Sequence, residues 1–146
     1  MIFSKSFGYA LRGILYVAMM SDENRKIRID EMANRLSVPR HFLGKIMNRV
    51  VKGGILNSTK GPSGGFSLNT TTLNTPLLTL VQLTDGLEQF DSCVLRLRKC
   101  NENHPCPLHY QTVAYKNDLL RIFSDTSLGS LLKQDKPDFI RSISAV

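Results

Sequence analysis

The chain has 146 residues, 42% of them hydrophobic, which is enough for a small domain with an added oligomerisation element. Nineteen Lys and Arg against twelve Asp and Glu give a net charge of +7, which suits a polyanionic partner if the charges lie on one face. Three cysteines argue against a secreted disulfide framework and for a reducing cytoplasm. No run reaches the ~20 apolar residues that span a bilayer, and the short run Gly13 to Met20 lacks the cleavage site of a signal peptide.

Taken in order, Phe7, Leu11, Ile14, Leu15 and Ala18 repeat at helical spacing, so the first helix is expected from Ser4 or Ser6. Asp22 to Asn24 breaks the pattern, and Ile27 and Ile29 bracket a short extended piece. Asp30 and Glu31 favour a helix N-terminus, Met32, Ala33 and Leu36 supply its apolar face, and the second helix should end near Ser37. Val38-Pro39 reads as a turn. From Arg40 to the glycines at 53 and 54 a third helix places Leu43, Ile46, Met47 and Val50 on one stripe. His41, Lys45, Asn48 and Lys52 form the opposite stripe, flanked by Arg40, Gly44 and Arg49. Two short helices joined by a tight turn, with a basic outer face on the second, match a helix-turn-helix recognition unit. An ordinary amphipathic helix with a solvated basic face is the competing explanation.

The next segment favours the recognition unit. Ile55 to Thr59 and Phe66 to Leu68 are strand-like, and Lys60-Gly-Pro-Ser63-Gly-Gly65 between them permits a tight reversal. A hairpin directly after the recognition helix is a wing. A glycine-rich tip with Lys60 at its edge can enter a minor groove. No Gly-Lys-Ser/Thr follows the glycines, so a phosphate-binding loop is excluded.

Asn69 to Asn74 reads as a polar linker, after which Thr75-Pro76 should cap and start a helix bearing Leu77, Leu80, Val81 and Thr84, stopped by Gly86. Beyond Cys106, Pro107 should open a long helix in which Leu108, Tyr115, Leu119 and Ile122 repeat at near-heptad spacing, with Val113, Leu120 and Phe123 widening the stripe. Such a surface needs cover: a second copy of the chain in a twofold dimer, helix one of the same chain, or both along different parts. Residues 127 to 132 suit a last short helix, and the tail from Lys133 gives no clear signal.

All three cysteines fall between Cys93 and His109, with six residues between Cys93 and Cys100, five between Cys100 and Cys106, and His109 three positions further on. Structural zinc usually takes cysteines two to four residues apart. These wider loops suit the spread ligands of an iron-sulfur cluster better, although zinc and unliganded thiols remain open. A small thiol or zinc enzyme is the alternative of another class. Its one candidate nucleophile–base pair is Cys106 with His109, and no oxyanion-hole signature accompanies it.

The order of winged helix, Lys60-Gly-Pro-Ser-Gly-Gly-Phe66 wing, three spaced cysteines and long helix resembles the bacterial family of small winged-helix transcriptional regulators that includes IscR, NsrR, RirA and CymR. The resemblance runs from Tyr9-Ala-Leu-Arg12 to Leu128-Gly-Ser-Leu-Leu132. It implies a homodimer with crossing long helices, a palindromic double-stranded DNA operator, and an iron-sulfur cluster in several members, sensing cluster supply, iron, nitric oxide or redox state. It also implies that Cys93, Cys100 and Cys106 match the cluster cysteines, and that His109 matches the histidine of the two-iron, two-sulfur IscR type. A four-iron, four-sulfur cluster is the variant. Lys60 matches a wing arginine. Three positions depart from the relatives. The first cysteine gap is six rather than five, Gly8 stands where NsrR types carry a ligating aspartate, and Gly44 replaces a recognition-helix glutamate of the IscR type. His104 and Glu102 are the reserve ligands.

The expectation is therefore a mostly α protein with a small β-hairpin wing, a winged helix-turn-helix over residues 1–75, and a cysteine loop with dimerisation helix over 76–146. It should be a cytoplasmic, non-enzymatic DNA-binding regulator of the repressor type, gated by a cluster. Its DNA contacts are Arg40, His41, Lys45, Asn48, Arg49, Lys60 and Ser63, and its cluster ligands are Cys93, Cys100, Cys106 and His109.

Overall fold

A computed structural model describes residues 2–21, 25–95, 98–132 and 136–144. The expected break at 22–24 therefore lies outside the described residues, as do residues 96 and 97 of the cysteine loop and 133–135 of the tail. Among the described residues no helix is long and apolar enough to cross a membrane.

Helix α1 (Lys5–Met20) begins where Ser4 accepts the Phe7 amide on its hydroxyl, the N-cap expected there. Ser4 in turn donates through its amide (2.7 Å) and its hydroxyl to the Asp85 carboxylate, tying this end of α1 to a loop 81 residues away. Helix α2 (Ile29–Leu36) carries Asp30 and Glu31 in its first turn and stops at Ser37, whose left-handed backbone (φ 54°) directs its N–H to the Ala33 and Asn34 carbonyls. Helix α3 (Arg40–Lys52) follows at once.

Leu43, Ile46, Met47 and Val50 of α3 are buried as their spacing requires, and they share one core with Ala10, Ile14 and Val17 of α1 and Met32, Ala33 and Leu36 of α2. Each of the larger of these side chains contributes about 1.5–3 kcal/mol on leaving water. Gly13 lets the helices come this close, since a Cβ there would lie 2.5 Å from the Met47 sulfur.

Strands β1 (Leu56–Thr59) and β2 (Gly65–Leu68) pair antiparallel, Leu56 opposite Leu68 and Thr59 opposite Gly65. Ile55, expected as the first strand residue, instead donates its amide to Val50 and belongs to the end of α3. Ile27 exchanges both backbone hydrogen bonds with Phe66 (2.9 and 2.7 Å), so the extended piece before α2 joins the wing as a one-residue third strand. Gly65 sits against it at φ 144°, where a Cβ would fall 2.7 Å from the Ile27 carbonyl oxygen. Gly65→Ala should therefore open this bridge at a cost of roughly 1–3 kcal/mol, read as faster hydrogen exchange at the Phe66 and Ile27 amides with the α1 and α3 amides unchanged.

The segment expected as a plain polar linker is more ordered than its composition suggests. Thr72 is fully buried, donates to the Ile55 carbonyl (2.6 Å) and accepts the Asn69 amide, within a 3-10 turn at Thr72–Asn74. Helix α4 (Leu77–Thr84) starts one residue later than expected, because Pro76 is held in extended geometry by its bridge to Ser127. Leu77, Leu80 and Val81, with Leu128, join the winged-helix core.

Helix α5 (His109–Asp125) starts two residues later than its proline suggested, since Pro107 and Leu108 form a turn that the His109 amide closes on the Cys106 carbonyl (3.0 Å). Phe123 stacks with Phe3 and Phe7, at ring separations of 4.9 and 5.9 Å, so the C-terminal part of α5 packs on the start of α1. A 3-10 turn at Gly129–Leu132 follows, and α6 (Lys136–Ile143) returns across α1 with Phe139 packed among Leu15 and Met19.

Candidate nucleic-acid interface and cysteine loop

The polar stripe of α3 and the wing face each other across a cleft of about 450 Å³. Arg40, His41, Gly44, Lys45 and Asn48 line its helix side, and Thr59, Gly61, Gly64 and Gly65 its wing side. His41, Lys45 and Asn48 are exposed, as direct reading of a polyanion requires. Arg40 pairs with Asp30 at the cleft edge, an exposed contact worth roughly 0–1 kcal/mol that a phosphate can displace. Gly44 carries no side chain toward the cleft, which leaves its floor open beside Ile29.

One expected DNA residue is placed differently. Arg49 turns to the other flank of α3 and donates to the Leu83 carbonyl (2.7 Å), where it anchors the end of α4. Lys60 and Ser63 are exposed on the wing tip, where the hairpin reading put them. The tip is closed by the Gly64 amide on the Gly61 carbonyl.

Two further cations belong to this region. Arg28 lines the cleft and donates one guanidinium nitrogen to the Pro62 (3.0 Å) and Gly61 (3.4 Å) carbonyls, bracing the tip from beneath. Lys26 donates to the Thr59 hydroxyl (2.9 Å) on β1. A signal for Arg28 was present in the sequence: between Ile27 and Ile29 in an extended piece, its side chain must point opposite to theirs. Loss of the brace in Arg28→Ala should loosen the wing tip, measurable as lower order parameters at Gly61 to Gly64 with the α3 amides unaffected.

The cysteine loop lies between α4 and α5. A bridge between Ser92 and Lys99 closes its first part, and two of the three cysteines flank that closure, Cys93 donating its amide to the Arg98 carbonyl (3.0 Å) and Cys100 to the Asp91 carbonyl (2.7 Å). Lys116 of α5 donates to the Ser92 carbonyl and Arg98 to the His104 carbonyl (2.8 Å), so the loop is fastened both to α5 and to itself. His109, the first residue of α5, is 3% exposed, and its Nδ1 stands 3.3 Å from the Cys100 sulfur. Cys93 is buried and Cys106 half-buried. The structure thus brings Cys100 and His109 together. Among the described residues no three His, Cys, Asp or Glu side chains converge on one point. His104 and Glu102, the reserve ligands, are exposed.

Between loop and helix, Tyr115, Leu119 and Lys116 line a second cleft with Cys93, Phe90 and Ile2. The near-heptad stripe of α5 faces outward: Tyr115 is 49% and Ile122 50% exposed, and Leu108 is exposed beside them, whereas Leu119 is half-buried.

Known proteins agree with this architecture. The family profile described as Rrf2, iron-dependent transcriptional regulator, matches residues 3–134. An HTH-type transcriptional regulator of Aquifex aeolicus is 32% identical over 134 residues, covering 90% of this chain and 92% of that protein. IscR of Vibrio atlanticus is 22% identical over 128 residues, 88% of this chain and 73% of its own. In three dimensions the chain is similar to CymR, the global cysteine regulator of B. subtilis, with a TM-score of 0.75 at 16% identity over 92% of this chain and 98% of that one. A thiol or zinc enzyme is thereby set aside: the chain belongs to the Rrf2 family of winged helix-turn-helix transcriptional regulators.

Proposed function

We propose that the protein is a dimeric repressor whose DNA affinity is set by an iron-sulfur cluster bound at the cysteine loop. The observation that carries the cluster is the Cys100–His109 pair: a thiol and a buried imidazole in contact, at the mouth of a loop that holds two further thiols. Soft thiolates with one imidazole fit iron in a two-iron, two-sulfur cluster, so Cys93, Cys100, Cys106 and His109 are the residues that would hold it. When bound, the cluster would supply a centre sensitive to oxidants, nitric oxide or iron supply. His109 offers Nδ1, and its place on the first turn of α5 means that any ligand it takes is joined rigidly to that helix. Lys116 holds the loop against the same helix at Ser92.

The outward stripe of Leu108, Tyr115 and Ile122 fits a second copy of the chain, and a twofold axis would present two α3 helices to a palindromic operator. Ordering of the loop would then reset the spacing of the two wings. A regulator working on DNA would act in the cytoplasm.

A second reading is favoured by the scarcity of converging donors: Cys100, half-buried beside an imidazole, would act as a thiol switch without metal. The two readings separate on protein purified without oxygen. The cluster reading expects visible absorption with about two iron and two sulfide per chain, and a His109→Ala variant whose cluster is labile or spectrally shifted. Colourless protein that still binds DNA and loses binding on oxidation supports the thiol switch. Anaerobic His109→Ala with an unchanged spectrum and stability moves the fourth ligand to His104 or Glu102.

A further inference from the structure

We infer that Phe42 reads a thymine methyl group in each half of the operator. Single exposed apolar residues are ordinary on protein surfaces, but this one has a telling place. Phe42 lies in the first turn of α3 and is 60% exposed, while its neighbours Leu43 and Ile46 are buried. Lys45, three residues further on, borders it on the helix surface and His41 precedes it, so the ring has a basic surround on its cleft side.

The chemistry of a partner for that surround is constrained. A surface of His and Lys suits a polyanion. The first turn of a recognition helix is the part that approaches base edges, and helical side chains lean toward the N-terminus, which carries Phe42 further in that direction. In the major groove the base edges present donors and acceptors throughout, except for one apolar group, the C5 methyl of thymine. A phenyl ring directed there gains most from that methyl. Gly44, two positions on, offers no side chain to the cleft, so the polar readers are His41, Lys45 and Asn48, and Phe42 adds the apolar element that they lack.

The inference rests on α3 being the recognition helix, and the experiment keeps the two apart. An operator is first selected from random duplexes with the wild-type protein. Its thymines are then replaced one position at a time, symmetrically in both half-sites, by deoxyuracil, which removes only the methyl group. Affinities are measured for the wild type, Phe42→Ala, Phe42→Leu and Lys45→Ala. At one position per half-site, uracil should weaken the wild type about fourfold for each methyl lost. The same replacement should leave Phe42→Ala unchanged and Phe42→Leu reduced only in part. Phe42→Ala should itself bind the thymine duplex at least as weakly as the wild type binds the uracil duplex. Lys45→Ala should lose affinity on both duplexes while keeping the uracil penalty.

Identical uracil penalties in the wild type and Phe42→Ala overturn the inference, as does a Phe42→Ala variant that changes the sedimentation of the protein instead of its base preference. If Lys45→Ala and Phe42→Ala both bind at full strength, α3 is not the reading surface and the underlying assignment fails with it.

Discussion

Cys100→Ser should leave the protein without visible absorption and without stoichiometric iron or sulfide, even when it is reconstituted anaerobically. Cys100 is the thiol that touches the buried His109 imidazole, so its loss breaks an assembled thiol–imidazole pair. Serine keeps the size of the side chain, and the backbone bond from residue 100 to the Asp91 carbonyl (2.7 Å) does not depend on the sulfur. The winged-helix core contains no cysteine. The variant should therefore retain the thermal unfolding of the metal-free wild type to within about 1 kcal/mol, which separates loss of the cluster from loss of the fold. Iron analysis with circular dichroism checks both halves of this expectation.

Ile122→Glu should convert the protein to monomers at concentrations where the wild type sediments as a dimer. Ile122 is 50% exposed in a single protomer, so a carboxylate there meets water and the protomer still folds. In a seam between two α5 helices the same carboxylate is buried without a partner, and twofold symmetry places it there twice, at a penalty of several kcal/mol. Affinity for a palindromic duplex should fall at least tenfold as the second half-site contact is lost. Leu119 is a poorer probe, since it is half-buried against the cysteine-loop cleft within its own chain. An unaltered dimer in sedimentation for Ile122→Glu would remove the outer stripe of α5 from the interface.

The helix-turn-helix was legible in the sequence because its signals are local. Apolar periodicity, the Ser4 cap, the acidic first turn of α2 and the glycines after α3 each act within a few residues, and the structure has α3 with the bounds expected for it. What was not legible depends on distant chain. Nothing near Ile27 in sequence announces that Phe66 will pair with it, and Thr72 looks like a solvated linker residue until the Ile55 carbonyl is placed above it. Arg49 shows the limit of helix-wheel reasoning: it flanks the basic stripe, yet its guanidinium donates to the Leu83 carbonyl at the end of α4. The two proline-based helix starts, at residues 76 and 107, each came early because a bridge or turn holds the proline outside the helix. In the cysteine loop, spacing singled out four donors, and the contact between Cys100 and His109 follows from the start of α5, which no spacing rule fixes.

The direct test of cluster gating is a comparison of operator affinity for the anaerobically purified protein and for the same preparation after chelator removes its iron, at one fixed salt concentration because phosphate contacts make binding steeply salt-dependent. The cluster-gated account predicts that the two differ by a factor of ten or more, and that Cys100→Ser matches the iron-free form before and after chelation. Equal affinities for the two wild-type forms would contradict it.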